Sequence, residues 1–206
     1  MSQIEVLSPE KRAQILRGAA AMFTENGYEG ASMSRIAAEA GVSKGTLYNY
    51  FESKADMFTA WVGEECAAKL SHLFDSIDAD DTPEAALRGI GLRMVGMMLC
   101  GAGETIYRLV VAEAGKFPEL AQRFFDAGPS KAVAILSTRL ADETRRGRLA
   151  VDDPDFAAEQ FFSLCQTRIV MRRKLNLRET ATDAEVAHVV DQSVRMFLRT
   201  YGPNPH

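Results

Sequence analysis

The feature that most constrains this sequence is the stretch Met33–Lys54, MSRIAAEAGVSKGTLYNYFESK. Its pattern predicts two short helices joined by a tight turn. Ser32 is typical of a helix N-cap, and Ser43 opens a second helix in the same way. Between them, Gly41 suits the left-handed backbone conformation that often ends a helix. Two short helices joined by a turn that contains glycine form a helix-turn-helix.

The rest of the chain shows helical periodicity and no strand-like alternation of any length. Ser8-Pro9 and Thr82-Pro83 are typical helix starts, and Thr182–Glu185 reads as a capping box for the last helix. A long fourth helix is expected from Ser53 to about Ile77, and Gly128-Pro129 is expected only to kink a later helix. These starts and stops predict an all-α fold of about nine helices.

The same stretch also resembles a known family. The run AAEAGVSKGTLYNYFESKADMF, preceded by ILRGAAAMFTENGYEGASMSRI, is similar to the N-terminal DNA-binding domain of TetR/AcrR-type transcriptional regulators. The family's pattern stands here without a gap, as Phe23, Gly27-Tyr28, Ile36-Ala37, Ala40–Ser43, Gly45–Phe51 and Ser53-Lys54. Farther along, AEAGKFPELAQRFF, AGP and RGRL resemble the AefR-like C-terminal subgroup.

The resemblance implies a helix-turn-helix DNA-binding domain over residues 1–53 and an effector-binding and dimerisation domain over residues 54–206. It implies a transcriptional regulator, most simply a repressor, that binds a palindromic DNA operator as a homodimer. A small apolar or aromatic effector would release it by changing the position of the long fourth helix and hence the spacing of the two DNA-binding heads.

The resemblance implies DNA-contacting residues at the positions of this sequence that match the family's motif. Thr46 and Asn49 are the side chains most able to read base edges, since asparagine matches the donor and acceptor pair of adenine. Tyr50 is either a phosphate donor, as Tyr48 is expected to be, or mainly a packing residue. The alternative is a helical hairpin with exposed lysine and tyrosine side chains and no partner. The full set is Ser34, Arg35, Ser43, Lys44, Gly45, Thr46, Tyr48, Asn49, Tyr50 and Lys54.

Two further sets of residues belong to the C-terminal region. For each aromatic or methionine residue alone, helical spacing favours a place in the core, whereas the resemblance implies that some of them line an effector pocket. The pocket candidates are Trp61, Met94, Met98, Tyr107, Phe124, Phe125 and Phe162. The last two helices are expected to pair with their copies as a four-helix dimer interface. Its candidates are Phe161, Cys165, Ile169, Val186, Val190, Val194 and Phe197.

Charge and composition limit the other possibilities. The net charge is −4, and residues 1–53 carry five Lys/Arg against six Asp/Glu, so the salt dependence of DNA binding should be shallow. No metal-ligand spacing or catalytic motif is present, so neither a cofactor nor an enzyme is predicted. The N-terminus lacks the apolar core of a signal peptide, and no apolar run reaches 18 residues, so we expect a cytoplasmic protein without a membrane span.

Two alternatives to an effector-responsive regulator stay open at this point. One is a regulator that needs no effector, or that is switched by a protein partner or by oxidation of Cys66, Cys100 or Cys165. Buried apolar roles are the simpler interpretation of these cysteines. The other is a helical small-molecule carrier or enzyme whose helix-turn-helix is vestigial, and low local positive charge is its only support.

Overall fold

The computed structural model describes residues 8–75, 77–78, 80–99, 101–175, 177 and 181–203. These residues form α-helices and contain no strand, so the all-α prediction is confirmed. Eleven helices lie within this part of the chain. They are α1 Pro9–Gly30, α2 Met33–Glu39, α3 Lys44–Tyr50, α4 Lys54–Phe74, α5 Pro83–Leu99, α6 Gly101–Glu113, α7 Pro118–Ala127, α8 Pro129–Arg145, α9 Pro154–Cys165, α10 Ile169–Lys174 and α11 Asp183–Tyr201.

The count exceeds the expected nine because two expected helices are each split. Gly128 has φ −122° and ψ −81°, so the chain leaves the helix between α7 and α8. Pro129 cannot donate an N–H to the preceding turn, which favours a break over a kink. Arg168 has φ +70° and separates α9 from α10. In addition, α4 ends at Phe74 and does not reach Ile77.

The helix caps follow the local chemistry of the sequence. The side chains of Ser8, Ser32 and Ser43 each accept a hydrogen bond from the backbone N–H three residues later. Thr182 forms the predicted capping box, in which both reciprocal hydrogen bonds are present. Gly147, with φ +72°, follows α8 as expected for a C-terminal cap.

The chain divides into two compact units. The first contains the chain up to residue 66 together with residues 105–127, and its core includes a cluster of aromatic rings. The rings of Phe23, Tyr28, Phe58, Trp61 and Phe117 contact one another in pairs with centroids 4.9–5.9 Å apart. Stacked and edge-on aromatic pairs of this kind add to the stabilisation from burial alone. The domain boundary after residue 53 stays a prediction.

The second unit contains residues 67–104 and the chain from residue 128 onward. Its core includes Phe161 and Phe197, whose ring centroids lie 5.6 Å apart. Gly91 allows α5 and α11 to approach closely, because a Cβ atom at that position would lie 2.8 Å from Cγ1 of Val190. A core built in this way depends on the absence of a side chain at Gly91.

The second unit contains a buried carboxylate, that of Glu143, with two arginine partners. Glu143 is only 2% exposed, and its Oε1 accepts a hydrogen bond of 2.8 Å from Nη2 of Arg148. Arg139 lies 3.9 Å from the same carboxylate and donates through Nη2 to the carbonyl oxygen of Asp78 at 3.0 Å. A buried carboxylate needs such partners, because desolvating an unpaired charge is costly.

No single helix in the described residues is long and apolar enough to span a membrane. Only α5 taken together with Gly103–Glu113 meets those two criteria. In the same residues, no three His, Cys, Asp or Glu side chains converge as metal ligands. Cys100 and His206 lie outside the described residues.

Candidate nucleic-acid interface

The turn between α2 and α3 is fixed by its backbone and by α1. Gly41 has φ +63°, and the N–H of Val42 returns to the carbonyl of Ala37 at 3.0 Å. A Cβ atom at Gly18 in α1 would lie 2.8 Å from the backbone N and 2.9 Å from the Cα of Ala40. Helix α1 therefore passes directly against the end of α2, and only glycine permits that approach.

Helix α3 has one buried and one exposed face. Leu47 is fully buried, and Phe51, which follows the helix, is 3% exposed. Ser43 accepts a hydrogen bond from the backbone N–H of Thr46 at 3.0 Å, and the two hydroxyl oxygens lie 2.8 Å apart. The cap thus starts the helix and also fixes the Thr46 side chain. The opposite face presents Lys44, Gly45, Tyr48 and Asn49 to solvent, with Tyr48 53% exposed.

This exposed face carries functional groups of the kinds that can recognise DNA. It offers the ammonium group of Lys44 for phosphate, the carboxamide of Asn49, which can donate and accept at once, and the hydroxyl group of Tyr48. The N-terminus of α3 adds backbone N–H groups and a partial positive charge, and Lys44 lies in its first turn. Ser34, at the start of α2, is also exposed.

Lys54 is a candidate that the structure ties firmly to the protein itself. Its ammonium donates to the carbonyl oxygens of Tyr28 at 2.7 Å and Ala31 at 2.9 Å, and it lies 4.4 Å from the Tyr28 ring centroid. Partial burial lowers the pKa of this lysine. Lys54 therefore fixes the corner between α1 and α2, and its contact with phosphate stays a prediction.

Arg35 and Tyr50 also have partners within the protein. The guanidinium of Arg35 donates to Oδ1 of Asn26 at 2.8 Å and to the carbonyl of Gly30 at 3.0 Å. The hydroxyl of Tyr50 accepts a hydrogen bond of 2.9 Å from the backbone N–H of Ser8, at the start of α1. Tyr50 is only half-buried, but this bond favours the packing role. Lys44 is then the cation of α3 that remains exposed to solvent.

The seven pocket candidates are divided between the two units. Trp61, Tyr107, Phe124 and Phe125 belong to the first unit, and the remaining three, Met94, Met98 and Phe162, belong to the second. In the first unit the rings of Tyr107 and Phe124 meet edge to face with centroids 6.4 Å apart, whereas Phe125 is 52% exposed. In the second unit, Met94 and Phe162 are buried and Met98 is half-buried.

A surface cleft of about 490 Å³ lies between α5 and α11 in the second unit. None of the seven pocket candidates lines it. Its walls are polar, and Nε of Arg88 donates to Oδ1 of Asp191 across the cleft at 2.8 Å. The lining residues are Glu84, Arg88, Asp191, Val194, Arg195, Leu198 and Arg199.

Most of the dimer candidates lie in or against the core of the second unit. Six of the seven are buried within a single chain, and Val186 is half-buried. The six buried side chains offer little exposed area to a second chain, and they pack mainly against their own chain. The faces that α9 and α11 turn to solvent expose Phe156 (54%) and Met196 (59%) instead. Periodicity alone does not distinguish a face that packs against its own chain from one that packs against a second copy, so the dimer interface stays a prediction.

Two residues that position the turn were not among the candidates. Gly18 permits the contact between α1 and α2, and Nε2 of Gln14 donates to the carbonyl of Ala40 at 2.6 Å. A glycine in the middle of a helix costs stability relative to alanine, so Gly18 within an apolar helical pattern was a usable signal of close packing. Nothing in the sequence marks Gln14.

Two family models match the chain. The model for bacterial regulatory proteins of the tetR family matches residues 15–61. The model for the AefR-like transcriptional repressor, C-terminal domain, matches residues 85–203, which is more than half of the chain.

Individual relatives match this chain over stretches of different length. The HTH-type transcriptional repressor AcnR of Corynebacterium diphtheriae is 39% identical over 57 residues, which are 28% of this chain and 30% of that protein. The chain thus spans only about a third of the length of that repressor. The nucleoid occlusion factor SlmA of Pasteurella multocida is 28% identical over 177 residues, covering 83% of this chain and 86% of that protein.

Among solved structures, the Flavonoid-responsive Regulator FrrA superposes with a TM-score of 0.86 at 29% identity. The superposition covers 96% of this chain and all of that one. The model that matches residues 85–203 and the model that matches the helix-turn-helix both describe TetR regulators. The chain therefore belongs to the TetR family of bacterial transcriptional regulators, in the subgroup with an AefR-like C-terminal domain.

Proposed function

We propose that this regulator reads a palindromic DNA operator as a homodimer, represses transcription from it and is released by a small aromatic effector. The observation that carries the proposal is the exposed face of α3, where Lys44, Tyr48 and Asn49 point to solvent while Leu47 anchors the helix from behind. In a helix-turn-helix, this is the face that enters the major groove.

Within this proposal, the roles of the candidates differ. Asn49 and Thr46 read base edges, and Lys44 and Tyr48 contact phosphates. Contacts with the DNA backbone at the starts of α2 and α3 come from Ser34, Ser43 and Gly45. Arg35, Tyr50 and Lys54 act mainly by holding these helices in place, because their polar groups already bond within the protein.

The dimer that we propose uses the outward faces of α9 and α11. Phe156 and Met196 provide exposed apolar surface there, and such surface is favourable to bury between identical copies. The two copies of α3 then face successive major grooves roughly 34–36 Å apart. The AefR-like family model and the repressor AcnR support the repressor assignment.

The effector class that we propose is an aromatic or apolar small molecule, with flavonoids as the first class to test. The support is the similarity over the whole chain to a flavonoid-responsive regulator. In the first unit, the edge-to-face rings of Tyr107 and Phe124 suit such a ligand, since aromatic side chains pack favourably against aromatic groups. Release requires that the effector bind more tightly to the dimer whose heads have the wrong spacing.

The experiment that tests DNA reading is selection of duplexes from a random pool by the full-length protein, with the Lys44→Ala/Asn49→Ala variant as control. We expect an enriched palindrome with the wild-type protein and none with the variant. An equal enrichment with both proteins would contradict the assignment of α3. No enrichment at low salt would favour a small-molecule carrier whose helix-turn-helix no longer functions.

The enriched duplex then serves as the probe for effectors. A flavanone such as naringenin is titrated into the complex while fluorescence anisotropy of the labelled duplex is followed. Release of the duplex supports the proposed effector class. Unchanged affinity with flavonoids, other aromatic compounds and long-chain fatty acids would favour a regulator that needs no small effector.

A further inference from the structure

Residues outside the helix-turn-helix complete the core of the DNA-binding unit. The segment Thr105–Ala127, which holds most of α6 and all of α7, belongs to the first unit, whereas the chain on either side of it belongs to the second. Ile106, Val110 and Leu120 from this segment are buried in the same core as the aromatic side chains of α1 and α4. The unit that carries α3 is therefore assembled from two separate parts of the sequence.

The segment contacts one particular place, the α1–α2 corner, which we define as residues 27–32. The ring of Phe117 meets the ring of Tyr28 edge to face with centroids 4.9 Å apart. Lys116 forms an ion pair with Glu29, and the backbone N–H of Glu29 donates to Oε1 of Glu113 at 3.4 Å. Aromatic, ionic and backbone contacts thus converge within a few residues.

The same corner determines where α2 begins. Gly27 turns the chain with φ +72°, and Ser32 caps α2. Lys54 donates to carbonyls of the corner, and Arg35 donates to Gly30 within it. A small rotation of the corner would therefore redirect α2 and α3 together, since a tight turn joins them.

We propose that the segment Thr105–Ala127 is a working part of the DNA-binding unit and that Phe117 is a positioning residue, which holds the α1–α2 corner in the orientation that DNA requires. The proposal rests on the function proposed above and adds a route for the effector. Tyr107 and Phe124, two of the pocket candidates, lie in this segment and contact each other. An effector that displaces either ring would therefore disturb the same segment that carries Phe117 and its contact with the corner.

The test uses the full-length protein and the duplex obtained by selection. Phe117→Ala removes the ring, Phe117→Tyr retains it, and Val111→Ala truncates a side chain of α6 that is 57% exposed. For each variant, the active fraction is titrated at a duplex concentration far above Kd, and Kd is then measured at low concentration. Hydrogen exchange of residues 24–35 is followed without DNA.

A merely structural loss would lower the active fraction and leave the Kd of the active molecules unchanged. We expect Phe117→Ala to raise that Kd by about tenfold, the effect of losing one well-placed aromatic contact. Exchange in the corner should rise in the same variant. Phe117→Tyr and Val111→Ala should stay within about twofold of wild type, a margin well below the factor of ten that one such contact is worth.

Three results would overturn the inference. One is a wild-type Kd for the active Phe117→Ala protein, and another is equal weakening by Val111→Ala. The third is unchanged exchange in the corner of Phe117→Ala. If the wild-type protein selects no DNA, the proposed function fails, whereas the exchange measurement still reports whether Phe117 holds the corner.

Discussion

Replacing Gly18 by alanine should destabilise the DNA-binding unit although alanine is the better helix former. The new Cβ atom would lie 2.8 Å from the Cβ and backbone N of Ala40 and 2.9 Å from its Cα. These are largely backbone atoms, which cannot rotate away, so the overpacking should cost about 3 kcal/mol. The gain in helix propensity offsets about 1 kcal/mol. The net loss in the free energy of unfolding should be about 2 kcal/mol.

The assay is urea denaturation followed by tryptophan fluorescence. Trp61 is the only tryptophan in the sequence, and it lies in the aromatic core of the first unit, 5.8 Å from the Phe23 ring, so its signal reports that unit. Gly63→Ala is the matched control, because Gly63 lies within α4 and a Cβ there would meet nothing within 4 Å. The control should gain about 1 kcal/mol.

Equal stability of Gly18→Ala and wild type would refute the reasoning, since it would mean that α1 and the end of α2 do not meet as closely as described. A loss in Gly63→Ala as large as that in Gly18→Ala would do the same. It would show that both effects arise from the helix interior in general and not from the contact with Ala40.

Three further predictions concern charge and burial. Glu143→Gln should lower the free energy of unfolding by about 2–3 kcal/mol, because it removes the negative charge that pairs with the partly buried Arg139 and Arg148. Asp142→Asn, which loses only an exposed ion pair, should cost less than about 0.5 kcal/mol. Equal urea midpoints for the Glu143→Gln and Asp142→Asn variants would contradict the larger loss expected for Glu143→Gln. Burial raises the pKa of Cys165 to about 12, so its thiol should resist alkylation at pH 8 in the native protein, and rapid labelling would revive the redox alternative. The hydrogen bond and charge of Lys116 lower the pKa of Glu29 below its usual 4.5. The stability from this group is therefore present above pH 4.5 and lost as the pH falls through the lowered value. Glu29→Gln should flatten that acid-side decline in urea midpoint, and an unchanged decline would count against the ion pair.

Local chemistry predicted what depends on neighbours in sequence. Helix caps such as Ser43 and the capping box at Thr182 are set within four residues, and the structure contains them. The exposed face of α3 followed from the spacing of Leu47 and Phe51. The family pattern extended these local signals to the whole helix-turn-helix.

Long-range packing accounts for what the sequence could not predict. The periodicity of Val190 and Phe197 is the same whether the face meets its own chain or a second copy. The ammonium of Lys54 is drawn to carbonyls of the α1–α2 corner, which the sequence places 23 residues or more away. The break at Arg168 requires a positive φ that no local signal announces in an arginine.

The proposed function requires two copies of α3 that read two half-sites one helical turn apart. The most direct test compares the Kd of the selected duplex with that of the same duplex carrying 5 additional base pairs between its half-sites, about half a helical turn. The insertion should weaken the affinity of the dimer by about a thousandfold, to the level of non-specific binding. An unchanged Kd would mean that each head binds independently, and it would contradict the proposed dimer.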